Sequence, residues 1–188
     1  MNSRTSRRVL TVAVVFISLL SLAGILRAIE KTTSVEGVVT KIDRAAKTVV
    51  VKAADGTEHT MHLVGRTMVY GGNVTYKGAE EAARGLQEGS KVVVHYTKQG
   101  TDETAEEIDR IGTDGLKMSE GTITKFDRDA RTMTIKIANG TEEIYQLTEH
   151  AIEAAGVETE DAAKTSAHAI VYYSEEAGQK VAHFFKTN

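Results

Sequence analysis

The 188-residue chain contains no cysteine, no proline and no tryptophan, and aromatic residues make up only 5% of it. Without cysteine there are no disulfides, no thiolate metal ligands, no cysteine nucleophile and no attachment point for the acyl chain of a lipoprotein. Exported domains of this kind must be held by hydrophobic cores alone. The scarcity of aromatics argues against a carbohydrate-stacking platform. Gly-x-Ser-x-Gly, His-Glu-x-x-His and phosphate-cradling glycine-rich patterns are also missing, so no catalytic residue is nominated, no cofactor is expected and the chain reads as non-enzymatic. Charge removes another class. Taking Arg4, Arg7 and Arg8 from the 23 basic residues leaves 20 against 26 acidic ones, a net charge near −6 for the chain from Gly24 onward. Such a surface repels phosphate backbones, and no nucleic-acid partner is expected.

What is present begins with the leader. Arg4, Arg7 and Arg8 precede an apolar run from Val9 to Leu26, a basic n-region followed by an h-region. Ser21-Leu22-Ala23 offers small residues at a signal-peptidase site. The same run approaches the ~17 to 25 residues of a membrane-spanning helix. Residues 1–28 are therefore read as a signal peptide or an uncleaved inner-membrane anchor over residues 9–26. Both readings place the rest of the chain outside the cytoplasm, periplasmic or secreted. Arg7-Arg8 matches a twin-arginine signal only loosely.

The stretch Glu36 to Leu63 returns without a gap as Glu120 to Leu147, with about half its positions identical, which is the mark of a tandem repeat. Within each copy the pattern is that of strands. Val49, Val51 and Ala53, like Met133, Ile135 and Ile137, alternate with polar neighbours and give a half-buried strand. Asp55-Gly56 and Asn139-Gly140 follow as tight hairpin turns. Met61 and Leu63 match Tyr145 and Leu147, two apart again. In the first strand Val39 and Ile42 match Ile123 and Phe126, a spacing of three that predicts a bulge. Glu80 to Arg84 and Glu160 to Lys164 read as short helices with acids leading and a base trailing. Strands are expected at Lys91–Thr97 and His168–Ser174, then at Thr104–Ile111 and Val181–Lys186, with a linker at Gly112–Gly115.

Three strands, a helix and two strands, twice over, is the element order of the OB-fold, a five-stranded and partly open barrel. The expected architecture is mainly β: two tandem OB-like barrels over residues 34–112 and 118–188, each with a helix between strands three and four, preceded by an apolar signal or anchor helix. Exchange of strands between the copies is the rival. The pattern of Gly37 to Asp43, Asp55-Gly56 and Leu86-x-x-Gly89-x-x-Val92-x-Val94 resembles secreted bacterial small β-barrel domains of unknown function. In the second copy Thr165-Ser166-Ala167 stands in place of the Leu-x-x-Gly element. The resemblance implies an extracytoplasmic, non-catalytic module.

Two constellations remain. Tyr172, Tyr173, Phe184 and Phe185 form an aromatic cluster that is a candidate ligand or partner surface, although adjacent strand residues face opposite ways, so half of them fill a core or an inter-domain contact. His59, Met61 and His62 are the alternative, as imidazole and thioether suit copper. This segment resembles the periplasmic copper-carrying small barrels but lacks their tryptophan, and the second copy has Glu143, Tyr145 and Gln146 there instead. Asp127-Arg128-Asp129 and Thr101 to Thr104 read as solvated turns rather than calcium loops. The leading expectation is an exported binding or structural module of the cell envelope with an envelope protein or cell-surface component as partner. A copper carrier or sensor is the alternative. Specific activity is expected where the copies diverge, at His59–His62, Met68–Gly78 or Tyr172–Phe185.

Overall fold

The computed structural model describes residues 32–71, 74–155 and 166–187. The leader at 1–28 and the helix expected at Glu160–Lys164 lie outside the described residues. Among the described residues no helix is long and apolar enough to cross a membrane.

The first copy comprises β1 (Thr33–Asp43), β2 (Thr48–Ala53), β3 (Glu58–Gly71), β4 (Val74–Lys77), α1 (Ala79–Gly85), β5 (Lys91–Gln99) and β6 (Asp102–Arg110). The second comprises β7 (Lys117–Asp127), β8 (Thr132–Ile137), β9 (Glu142–Leu147), α2 (Glu149–Ala155), β10 (His168–Glu176) and β11 (Gln179–Thr187). Each copy is a closed five-stranded barrel, not a partly open one. The first runs β2-β1-β5-β6-β3 and closes through β2–β3, and the second runs β10-β11-β9-β8-β7 and closes through β10–β7. Neighbours pair antiparallel except β3 with β6 and β9 with β11, which are parallel. The pairings among described strands stay within each copy. Each core is built from the apolar positions of one strand face: Val39, Val49, Val51, Met61 and Ile108 in the first barrel, and Ile123, Met133, Ile135, Tyr145 and Val171 in the second.

The repeated residues have local physical reasons. The register slips between Val39 and Lys41 and between Ile123 and Lys125, which is the bulge that the spacing of three predicts. Asp43 and Asp127 accept the backbone N–H of Ala46 and Ala130, each at 2.8 Å, and so close the following turn. At the Asp-Gly and Asn-Gly turns only the glycine takes positive φ, 88° at Gly56 and 86° at Gly140. Asp55 and Asn139 serve instead as side-chain acceptors for the N–H of Thr57 and Thr141. Gly37 and Gly121 permit close strand approach, since a Cβ there would stand 2.5 and 2.6 Å from the carbonyl oxygens of Lys52 and Lys136.

One element is added to the expected order, and one helix keeps its place in the order but stands at other residues than those expected. In the first barrel β3 continues beyond Leu63 and folds back as β4, adding a sixth strand on its outer edge. Thr67, fully buried, ties this extension to β6 by donating to the Ala105 carbonyl at 2.7 Å. In the second barrel α2 begins directly after β9, with Thr148 Oγ1 accepting the Ala151 N–H at 3.1 Å as its cap.

Candidate functional site

β5 is buried on both faces from Val92 to Thr97. Val92, Val94 and Tyr96 enter the core of the first barrel. The opposite face, with Val93 and His95, is covered by the second barrel: Phe184 lies edge-on to the His95 ring at 6.2 Å, and His150 stacks on it at 5.3 Å. Bulges decide which side chains reach this seam. The register of β5 against β6 runs His95 to Glu107 and Tyr96 to Ala105, so Glu106 is an extra residue. A one-residue slip exchanges strand faces, and Glu107 and Asp109 therefore share the outer face while Ile108 points into the core. β11 does the same against β10, where Tyr172 pairs with Phe184 and Tyr173 with Ala182, leaving His183 as the extra residue.

The result is a cluster of titratable side chains drawn from both barrels. His95 and Asp109 are fully buried and His183 is 6% exposed. His95 Nδ1 shares a 2.9 Å hydrogen bond with Ser34 Oγ, which turns Nε2 to Asp109 Oδ2 at 3.6 Å. His183 Nδ1 stands 3.3 Å from Glu107 Oε1 and 3.3 Å from Asp109 Oδ1, while its Nε2 meets Ser174 Oγ at 3.0 Å. His150 Nε2 approaches Glu107 Oε2 at 3.8 Å. Around this centre Tyr70 packs against His183 at 4.9 Å, and Lys186 donates to Glu36 at 2.6 Å across the seam.

Burial would depress the His183 imidazole, but Asp109 and Glu107 outweigh it and push the ring up to about 10. It is an imidazolium at neutral pH. Burial alone would raise Asp109, yet His183 and His95 hold its carboxyl below the usual range. Coulomb pairing nevertheless leaves gaps in directed bonding: Nε2 of His95 and both carboxylate oxygens of Asp109 lie at ion-pair distance from neighbours without hydrogen-bond geometry. The ligand-capable atoms of His95, Glu107 and Asp109 lie within 4.8 Å of one another.

Of the aromatic cluster, Tyr173 and Phe185 fill the core of the second barrel. Tyr172 and Phe184 pair at 5.8 Å on the outer face, Phe184 against His95 and Tyr172 beneath Lys186. His59 and Met61 alternate on one face of β3 and His62 lies on the other. His59 Nδ1 lies 3.1 Å from Glu103, Met61 is fully buried in the first core, and His62 is exposed on the other face of β3. Sequence reading nominated none of His95, Glu107, Asp109, His150 and His183. The available signal was His95 inside the otherwise apolar run Val92–Tyr96, a run with the continuity of a strand covered on both faces.

No protein-family model and no curated protein matches the chain. Solved structures of CusF are similar in fold. Ag(I)-CusF is 17% identical with a TM-score of 0.33, covering 43% of this chain and 97% of that one. Apo-CusF from Escherichia coli, residues 6–88, is 17% identical with a TM-score of 0.35, covering 47% of this chain and 98% of that one.

Proposed function

We propose that the chain is an exported, non-enzymatic binding module of the cell envelope, in which two OB-type barrels are docked into one body and an outer sheet face takes a partner protein. The basic-then-apolar leader supports export. The observation that carries the reading is the seam, where His95, Glu107 and Asp109 of the first barrel pack against His150 and His183 of the second with His95, Asp109 and His183 buried. The aromatic residues nominated as a partner surface serve the core and the seam, so this reading takes the partner face from another surface. A groove of about 420 Å³ beside the seam combines apolar Val38, Ala53 and Ala54 with Lys52 and Lys91, while Lys186 at its edge is paired with Glu36. That lining suits a protein segment with carboxylates next to apolar side chains.

The test places a photo-crosslinking amino acid at Val38 of the full chain in envelope preparations. One adduct is expected, lost when Lys52→Glu and Lys91→Glu are combined and kept with Lys125→Glu on the second barrel. No adduct, or one indifferent to the lysine reversals, refutes the reading.

A further inference from the structure

We propose that the seam holds one borderline divalent cation of the zinc class, bound by His95 Nε2, Glu107 and Asp109 of the first barrel, with His183 of the second facing the two carboxylates from outside the ligand set. The site rests first on unmet polar atoms. His95 and Asp109 are fully buried, yet His95 Nε2 and both Asp109 oxygens have no directed hydrogen bond, and buried polar atoms in native structures are otherwise nearly always satisfied. These atoms converge. The His95, Glu107 and Asp109 donors lie within 4.8 Å of one another, and His95 Nε2 is 3.6 Å from Asp109 Oδ2. Tetrahedral bonds of about 2.0 to 2.1 Å place ligand atoms roughly 3.3 Å apart, so one edge is nearly formed and the others close by small side-chain rotations.

The second shell fits as well. Ser34 Oγ holds His95 Nδ1 at 2.9 Å, the outer hydrogen bond that fixes the ring of a metal-ligating histidine with Nε2 inward. His183 Nδ1 is 3.3 Å from an oxygen of each carboxylate. From that position the ring orients both carboxylates toward His95 without itself joining the ligand set. Glu107 and His150 are 12% and 26% exposed at the side chain and give the ion its access route. The donors are imidazole nitrogen and carboxylate oxygen, which suit zinc-class dications and not Cu(I) or Ag(I), whose soft thioether donors are absent from the seam. Met61, in the core of the first barrel, plays no part.

The experiment is a calorimetric Zn(II) titration of the full chain after chelator treatment, repeated against a chromophoric competing chelator. The expected result is one equivalent of zinc bound below micromolar, at least tenfold weaker in His95→Ala and in Glu107→Gln, and unchanged in His59→Ala, His62→Ala and His168→Ala. X-ray absorption of the loaded protein should show a nitrogen and oxygen shell with imidazole scattering and no sulfur. Circular dichroism reports folding of each variant. Should His95→Ala fail to fold, Glu107→Gln, at the more exposed position, decides alone. No zinc bound at micromolar concentration, binding indifferent to the seam variants, or binding lost in His59→Ala overturns the proposal.

Discussion

Replacing His183 with leucine tests whether the seam welds the barrels together. The side chain keeps an apolar body against Tyr70 but removes the imidazolium that stands 3.3 Å from both Glu107 and Asp109. Two carboxylates on the same face of β6 are then left facing each other, and Asp109 is fully buried. Breaking a buried ion pair by deleting one partner costs about 3 to 5 kcal/mol. His95 remains 3.6 Å from Asp109 and Glu107 is partly solvated, so the lower end applies, about 3 kcal/mol. For a folding unit of this size that lowers Tm by roughly 6 to 12 °C. The assay is urea denaturation and scanning calorimetry in excess chelator, on wild type, His183→Leu, Asp109→Asn and the double variant. A coupling energy of about 1.5 to 3 kcal/mol is expected between the two positions. Destabilisation should also separate the barrels, with one calorimetric transition becoming two. A loss below about 1 kcal/mol with coupling under about 0.5 kcal/mol would refute the reasoning, because the cluster would then be solvated in solution.

Gly121→Ala should cost about 1 to 3 kcal/mol by overpacking, since the new Cβ meets the Lys136 carbonyl, which cannot rotate away; thermal unfolding reads it. Burial would raise the Glu143 carboxyl, but Lys180 at 2.5 Å, Tyr145 and Ser119 hold it down. A depressed carboxylate contributes stability that is full above the ordinary carboxylate pKa of about 4.3 and is lost as pH falls through the lower folded value. Glu143→Gln should therefore flatten the acid limb of a stability profile between about pH 2 and 6. Tyr145 behaves oppositely. Burial and then Glu143 push its phenol up, so its contribution is full below about pH 10 and is lost above it, and Tyr145→Phe should shallow the alkaline limb in the same denaturation series. Met61→Leu, a nearly volume-conserving change in a closed core, should cost less than about 1.5 kcal/mol, whereas Met61→Ala should cost about 2 to 5 kcal/mol by calorimetry.

Much of each barrel was legible locally. Strand alternation, the bulges after Val39 and Ile123, the capped turns at Asp43 and Asp127 and the close approach at Gly37 and Gly121 all depend on neighbours a few residues away along the chain or across one hairpin. These are interactions whose geometry a periodic pattern encodes. The β3 extension and β4 were missed because the second copy ends that strand at Leu147, so comparing the copies offers no template for it. α2 was overlooked because Glu149 to Ala155 is short and only Thr148 separates it from β9.

The candidate site was illegible for a stronger reason. Ser34, His95, the Glu107 and Asp109 pair, His150 and His183 come from four strands and one helix of two barrels, and beyond that pair on β6 no spacing along the chain relates them. The bulges at Glu106 and His183 turn their neighbours to the outer face, where an isolated barrel would expose them to water as ordinary charges. The repeat by itself determined that there are two copies, where their strands turn and which residues line each core, because those follow from local periodicity and turn chemistry. Tertiary structure alone decided that the copies bury a polar cluster between them, because burial, and with it the raised His183 imidazole and the unsatisfied Asp109 carboxylate, exists only once one barrel displaces water from the face of the other.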